Sequence, residues 1–220
     1  MDKTLIVANW KSNMTKSEAK TWLEDFSSFE FPQNIQALIL PPFTLLDFVY
    51  SFVSEHSLPF KLGAQNISEF NQGAYTGEIA ASQIKEFAQY VLIGHSERKQ
   101  NFGETTDVIK RKAEKALANS LIPIVCITNF DEAREMELGH EIIFAYEPLG
   151  AIGTGNPEDP EIVRDFAEKF TATFQNHLIY GGSINKENIK KYLNIPGISG
   201  VLVGSESLLA SSFSDVIKNA

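Results

Sequence analysis

Short, unbroken apolar runs alternate along the chain with longer amphipathic segments. The runs are "TLIVAN" around Leu5, "IQALIL" from Ile35, "FKLGA" from Phe60, "YVLIG" from Tyr90, "IPIVCI" from Ile122, "EIIFAY" around Ile142, "HLIYG" from His177 and "GVLVG" around Val201. Each is rich in Ile, Val, Leu or aromatic residues and lacks polar alternation. Runs of this kind predict strands buried on both faces, as in a parallel sheet.

The intervening segments have helical spacing. "TKSEAKTWLEDFSSF" opens with a capping box, Thr15 followed by Glu18, and then repeats Trp22, Leu23 and Phe26 at helical intervals. "TTDVIKRKAEKALANS" predicts a helix with Ile109, Ala113, Ala116 and Leu117 on one face and Lys and Arg opposite. "PEDPEIVRDFAEKFTATF" begins with prolines and acids, as a helix start should, and predicts a buried stripe of Ile162, Phe166, Phe170 and Phe174. Eight β-α repeats without a composition break predict an α/β fold, a closed (β/α)₈ TIM barrel formed by residues 1–220 as one domain. A doubly wound open sheet is the alternative, but no Gly-x-Gly-x-x-Gly fingerprint follows the first run. Between Cys126 and Glu147 there is room for only two or three helical turns, so the helix after the fifth strand is shortened.

Composition narrows the function classes. Of 220 residues, 43% are hydrophobic and 21% charged, as in an ordinary water-soluble protein, and the formal charge is -9. With no dense Lys/Arg patch, neither nucleic acid nor an anionic membrane is an expected partner. The start, "MDKTLIVANWK", has too short an apolar run for a signal peptide. A lone cysteine, Cys126, fits a reducing compartment, and the expected location is cytoplasmic.

In such barrels the chemistry lies at the carboxyl ends of the strands. Those ends carry Asn9 and Lys11, Gln65 and Asn66, His95 with Ser96 and Glu97, Glu147, Gly181-Gly182-Ser183, and Gly204-Ser205. Singly, a lysine, a histidine or a glycine at such a position is ordinary. Together, three chemically distinct groups and two glycine turns on adjacent strand ends form a pattern. The glycine turns offer backbone N–H groups for a phosphate. Lys11, His95 and Glu147 are left for the rest of the ligand. No metal-ligand spacing is present, and no metal or cofactor is expected. A carboxylate base, an electrophilic histidine and a lysine suit proton abstraction beside a carbonyl.

The motifs "ANWK" (Ala8–Lys11), "GAQN" (Gly63–Asn66), "AYTGE" (Ala74–Glu78), "IGHSER" (Ile93–Arg98), "AYEP" and "AIGTG" (Ala145–Pro148 and Ala151–Gly155) and "YGGS" (Tyr180–Ser183) occur in the order in which they occur in triosephosphate isomerases. The chain resembles that family along essentially its whole length. The resemblance implies interconversion of dihydroxyacetone phosphate and D-glyceraldehyde 3-phosphate through an enediolate, in glycolysis and gluconeogenesis. It implies Glu147 as base, a neutral His95 as hydrogen-bond donor to the oxyanion, Lys11 as fixed positive charge, Asn9 as orienting residue and Glu97 as the partner of Lys11. Pro148, Leu149, Gly150, Ala151, Ile152, Gly153, Thr154 and Gly155 correspond to the closing lid. Phosphate contacts are implied for Gly153, Ser183, Gly204 and Ser205. Thr76 corresponds to a residue that reaches into a partner subunit, so a homodimer is implied; short family members also form tetramers.

Three positions depart from the family pattern. Leu149-Gly150 stands where the family usually has Val-Trp, Asn129 where it has Glu, and Gly204-Ser205 where it has Gly-Gly.

Overall fold

The computed structural model describes residues 3–136, 138, 139, 141–148, 150, 151 and 155–220. The eight strands are β1 (Thr4–Asn9), β2 (Ile35–Leu40), β3 (Lys61–Ala64), β4 (Tyr90–Ile93), β5 (Ile122–Ile127), β6 (Ile143–Tyr146), β7 (His177–Tyr180) and β8 (Ile198–Val203). They pair in parallel in chain order, and β1 pairs with β8 to close the barrel. The closure removes the open-sheet alternative. The helices are α1 (Lys16–Ser27), α2 (Phe43–Glu55), α3 (Ala81–Ile84), α4 (Ser96–Phe102), α5 (Thr106–Ala118), α6 (Phe130–Glu135), α7 (Pro160–Thr173), α8 (Ile189–Leu193) and α9 (Ala210–Lys218).

The strands are apolar on both faces because both faces are buried. One set of residues, including Leu5, Val7, Leu38, Leu92, Ile124, Cys126, Ile143, Ala145, Ile179 and Leu202, fills the barrel. The alternate set, including Ile6, Ala8, Val91, Val125, Phe144 and Val201, packs outward under the helices. The period of two then determines what tops the inner file. Leu5 and Val7 lead to Asn9, Ile143 and Ala145 lead to Glu147, Ile179 leads to Gly181, and Leu202 leads to Gly204.

The helix starts behave as their sequences predict. Thr15 caps α1, with both halves of its box to Glu18 formed. Asp159 caps α7, with Pro160 in the first turn. Two predicted faces are corrected. In α7, Ile162 is 50% exposed, and the buried stripe runs through Val163, Ala167 and Phe170, which reach the barrel wall. In α5, Lys112 lies with the apolar face, not opposite it. Its ammonium bonds the buried Glu104 and, at 2.8 Å, Asn66 Oδ1. Asn66 is therefore committed to this ion pair and does not join Gln65 at the barrel mouth.

The helix after β5 is short, as the spacing predicts. α6 has 6 residues, with Asn129 accepting the Glu132 N–H at its N-terminus. Lys99 of α4 ties this corner down through bonds to the Cys126 carbonyl at 3.2 Å and to Glu132 Oε2 at 2.7 Å. Asn176 bridges the Gly139 and Ile142 carbonyls in the connection that follows.

Candidate active site

A cavity of about 150 Å³ opens at the carboxyl ends of the strands, with Asn9, Lys11, His95, Glu147, Ser183 and Gly204 among its lining residues. Pockets that take drug-sized ligands hold roughly 300–1,000 Å³, so this one suits a much smaller molecule.

Glu147 is buried, 1% exposed. Its Oε2 accepts the Ser96 N–H at 3.0 Å, and its Oε1 lies 3.2 Å from His95 Nε2 without a well-aligned hydrogen bond among the described residues. A buried carboxylate oxygen with unused lone pairs beside a cavity is poised to accept a proton. Gly181 makes its seat possible, because a Cβ there would lie 2.9 Å from Glu147 Cγ. Below it, Cys126 is fully buried, and burial, followed by the negative charge of Glu147, pushes the thiol well up.

Strand alternation would send His95 to the helix side. Gly94, with φ of 69°, breaks the alternation, and His95 becomes the N-cap of α4 on the cavity wall. Its Nδ1 accepts the Glu97 N–H at 3.2 Å. A nitrogen that accepts cannot carry a proton, so the single imidazole proton falls on Nε2, the nitrogen that faces Glu147.

Lys11 adopts a left-handed backbone conformation, φ 54°. Such a residue costs about 1–3 kcal/mol unless its surroundings hold it. Here Asn9 Oδ1 accepts its N–H at 3.0 Å and Gln65 Nε2 donates to its carbonyl at 2.8 Å. The ammonium meets Glu97 Oε1 at 2.5 Å. Glu97 thus touches the site through Lys11 while its own side chain stays 42% exposed.

Ser183, Gly204 and Ser205 also line the cavity, with Ser205 opening a 3₁₀ turn over Ser205–Ser207. The two glycines of "YGGS" also have steric roles. The Gly181 N–H is used by the Tyr146 carbonyl, and Gly182 makes room, because a Cβ there would lie 2.3 Å from the Tyr180 hydroxyl and 3.0 Å from Ala151 Cβ. Of the lid residues, Pro148 accepts the Ala151 N–H, Ala151 is buried with its carbonyl bonded by Ser183 Oγ at 2.5 Å, Gly150 is exposed and Gly155 lines the cavity. Leu149, Ile152, Gly153 and Thr154 lie outside the described residues. Thr76 is not among the lining residues of its own chain's cavity and lies in the exposed run 71–78.

Ile184, Asn185, Leu202 and Glu206 also line the cavity and were not singled out by sequence. Leu202 could have been found from the inward file of β8. Glu206 had no signal, since an acid is unexpected near a phosphate site; Ser212 Oγ donates to its carboxylate.

A family model described as Triosephosphate isomerase matches residues 4–220. The chain belongs to the triosephosphate isomerase family. A triosephosphate isomerase of Mycoplasmopsis pulmonis is 36% identical over 245 residues, covering 99% of this chain and 98% of that protein. One of Dehalococcoides mccartyi (strain CBDB1) is 37% identical, covering 100% of this chain and 97% of its own. One of Chlamydia muridarum is 35% identical, over 97% of this chain and 90% of its own. The 245-residue alignment is longer than the 220-residue chain, so the chain lacks segments its relatives carry. Its eight strands nonetheless close the barrel.

Proposed function

We propose that this chain interconverts dihydroxyacetone phosphate and D-glyceraldehyde 3-phosphate. Family membership supports the reaction, and the observation that carries its residue assignment is the Glu147–His95 pair, 3.2 Å apart on one wall of a small cavity with the Lys11 ammonium beside them. Glu147 takes a proton from C1 of the ketone. The C–H electron pair forms the C1–C2 double bond, and the C2 oxygen becomes an oxyanion. His95 Nε2–H donates to that oxygen, while Lys11 supplies positive charge to the enediolate and the phosphate. A proton passes from the C1 hydroxyl to the C2 oxygen, the C1 oxygen forms the new carbonyl, and return of the proton from Glu147 to C2 through the C1–C2 double-bond pair gives the aldehyde. Glu147 begins anchored to Ser96 N–H, and leaving that bond frees both oxygens for the substrate.

The phosphate sits, in this reading, against the backbone N–H groups of Ser183, Gly204 and Ser205 at the turn that opens on Ser205, with Gly153 completing the contact from the lid. Closing the lid excludes water, which keeps the enediolate from expelling phosphate.

The assembly is a homodimer, with a tetramer as the alternative. The support is the finger from Asn71 to Glu78, whose eight consecutive residues are all exposed, together with the stacked Phe70 and Tyr75 rings and a 69% exposed Phe102. The buried, unpaired Cys126 fits a cytoplasmic location.

The assignment is tested by Glu147→Asp. Withdrawing the carboxylate by roughly 1 Å costs about 100-fold in rate. We expect that loss in kcat with little change in phosphoglycolate affinity; near-wild-type kcat would remove Glu147 as base. Running three- and four-carbon phosphates side by side in the same coupled assay checks the substrate.

A further inference from the structure

Two tyrosines outside the reacting groups grip a single residue. The rings of Tyr180, at the end of β7, and Tyr192, in α8, stack with centroids 4.3 Å apart and planes 15° from parallel. Both are buried, at 0% and 1% exposure. Their hydroxyls converge on Glu158. The Glu158 N–H donates to the Tyr180 oxygen at 2.9 Å, and the Tyr192 hydroxyl donates to the Glu158 carbonyl at 2.5 Å.

The two peptide groups that flank the Glu158 Cα are thus held, one by each ring, so its φ and ψ are both constrained. Glu158 lies between Gly155, on the cavity wall, and Asp159, the N-cap of α7. It is the junction at which residues 148–155 pass into a fixed helix. Tyr180 also begins the "YGGS" turn that seats Glu147 and holds Ala151. Tyr192 contributes nothing to the cavity lining itself.

We infer that Tyr192 is a positioning residue for the isomerisation: by fixing the carbonyl side of Glu158 it sets the path on which the lid segment leaves for α7, and with it how that segment meets the bound phosphate. The inference rests on the lid reading given above. Burial pushes both phenols up, so each stays a hydroxyl, able to donate, across the working range of pH. A purely structural account also exists, because a buried phenol needs a hydrogen-bond partner wherever it is. That account predicts a loss of stability and nothing else.

Tyr192→Phe separates the two. It keeps the ring and the stack and removes the hydroxyl's bonds, to the Glu158 carbonyl and to the Tyr180 hydroxyl that holds the other side of the same residue. If Tyr192 positions the lid, affinity for phosphoglycolate falls roughly two- to tenfold, the scale of one lost hydrogen bond. kcat/KM falls with it, and the share of turnovers that release inorganic phosphate rises as the enediolate is less well enclosed. A lower Tm, or no change at all, with wild-type phosphoglycolate affinity and wild-type phosphate release overturns the inference and leaves the isomerase reading standing. A wild-type chain that neither isomerises triose phosphates nor binds phosphoglycolate overturns the isomerase reading and the inference together.

Discussion

Gly181 shows how one missing side chain shapes the site. Glu147 is held by Ser96 N–H on one side and faces His95 on the other. Its Cγ occupies the space where a Cβ at 181 would sit, 2.9 Å away. Since real atoms do not approach so closely, Gly181→Ala must displace the carboxylate, and displacement near 1 Å is worth about 100-fold in rate. We expect kcat to fall by about that factor while Tm changes little, as measured by the coupled assay and by calorimetry. Unchanged kcat would mean that Glu147 has room to shift without leaving its reactive position. Lys11 makes a related point by the opposite route. Its left-handed backbone is tolerated because Asn9 and Gln65 bond both of its main-chain groups, and the outcome is an ammonium at the cavity, bonded to Glu97.

Among the elements, α6 is shortened to six residues in the connection between β5 and β6. Asn129, which replaces the family's usual Glu, is the N-cap of this six-residue helix. Gly150 stands where the family pattern has the lid Trp, and a Cβ there meets nothing within 4 Å among the described residues. Asn129→Glu alone should cost about 1 kcal/mol of stability through loss of the cap, visible as a lower Tm. Gly150→Trp alone should not improve phosphoglycolate affinity, because position 129 offers its indole N–H no carboxylate. The double variant should bind phosphoglycolate more tightly than the sum of the single changes, by at least about 0.5 kcal/mol of coupling. Strict additivity would show that the corner around α6 has been rebuilt so that residues 129 and 150 no longer meet.

At the scale of the whole molecule the unexplained surface is the finger between β3 and α3. Its base is closed by the Ser68 N–H to the Ile79 carbonyl at 2.9 Å, and its tip carries Tyr75 stacked on Phe70. Exposed aromatic rings on a projecting loop are costly unless another surface covers them. If the finger holds the proposed homodimer, deleting Gln72 to Thr76 gives monomers in sedimentation, with activity falling in step if Thr76 supports Asn9 of a partner. A deletion variant that is monomeric and fully active would detach the finger from catalysis.

The sequence by itself determined the eight strands, because a strand buried on both faces must be apolar at every position, and that pattern is local. It determined the α1 and α7 starts for the same reason: a cap and its partner lie within three residues. Motif order also located Asn9, Lys11, His95 and Glu147, all of which line one cavity. What only the tertiary structure decided depends on atoms distant in the chain. Ile162 was read as buried from a spacing that Val163 satisfies better, and only the direction of the barrel wall selects between adjacent helix faces. Lys112 is inside because Glu104 and Asn66 are there to neutralise and bond it. The glycines of "YGGS" read as donors of N–H groups, and the fold adds a steric need for them, set by Glu147 and by Tyr180 and Ala151. The grip of Tyr192 on Glu158 joins residues 34 positions apart, which no local pattern encodes.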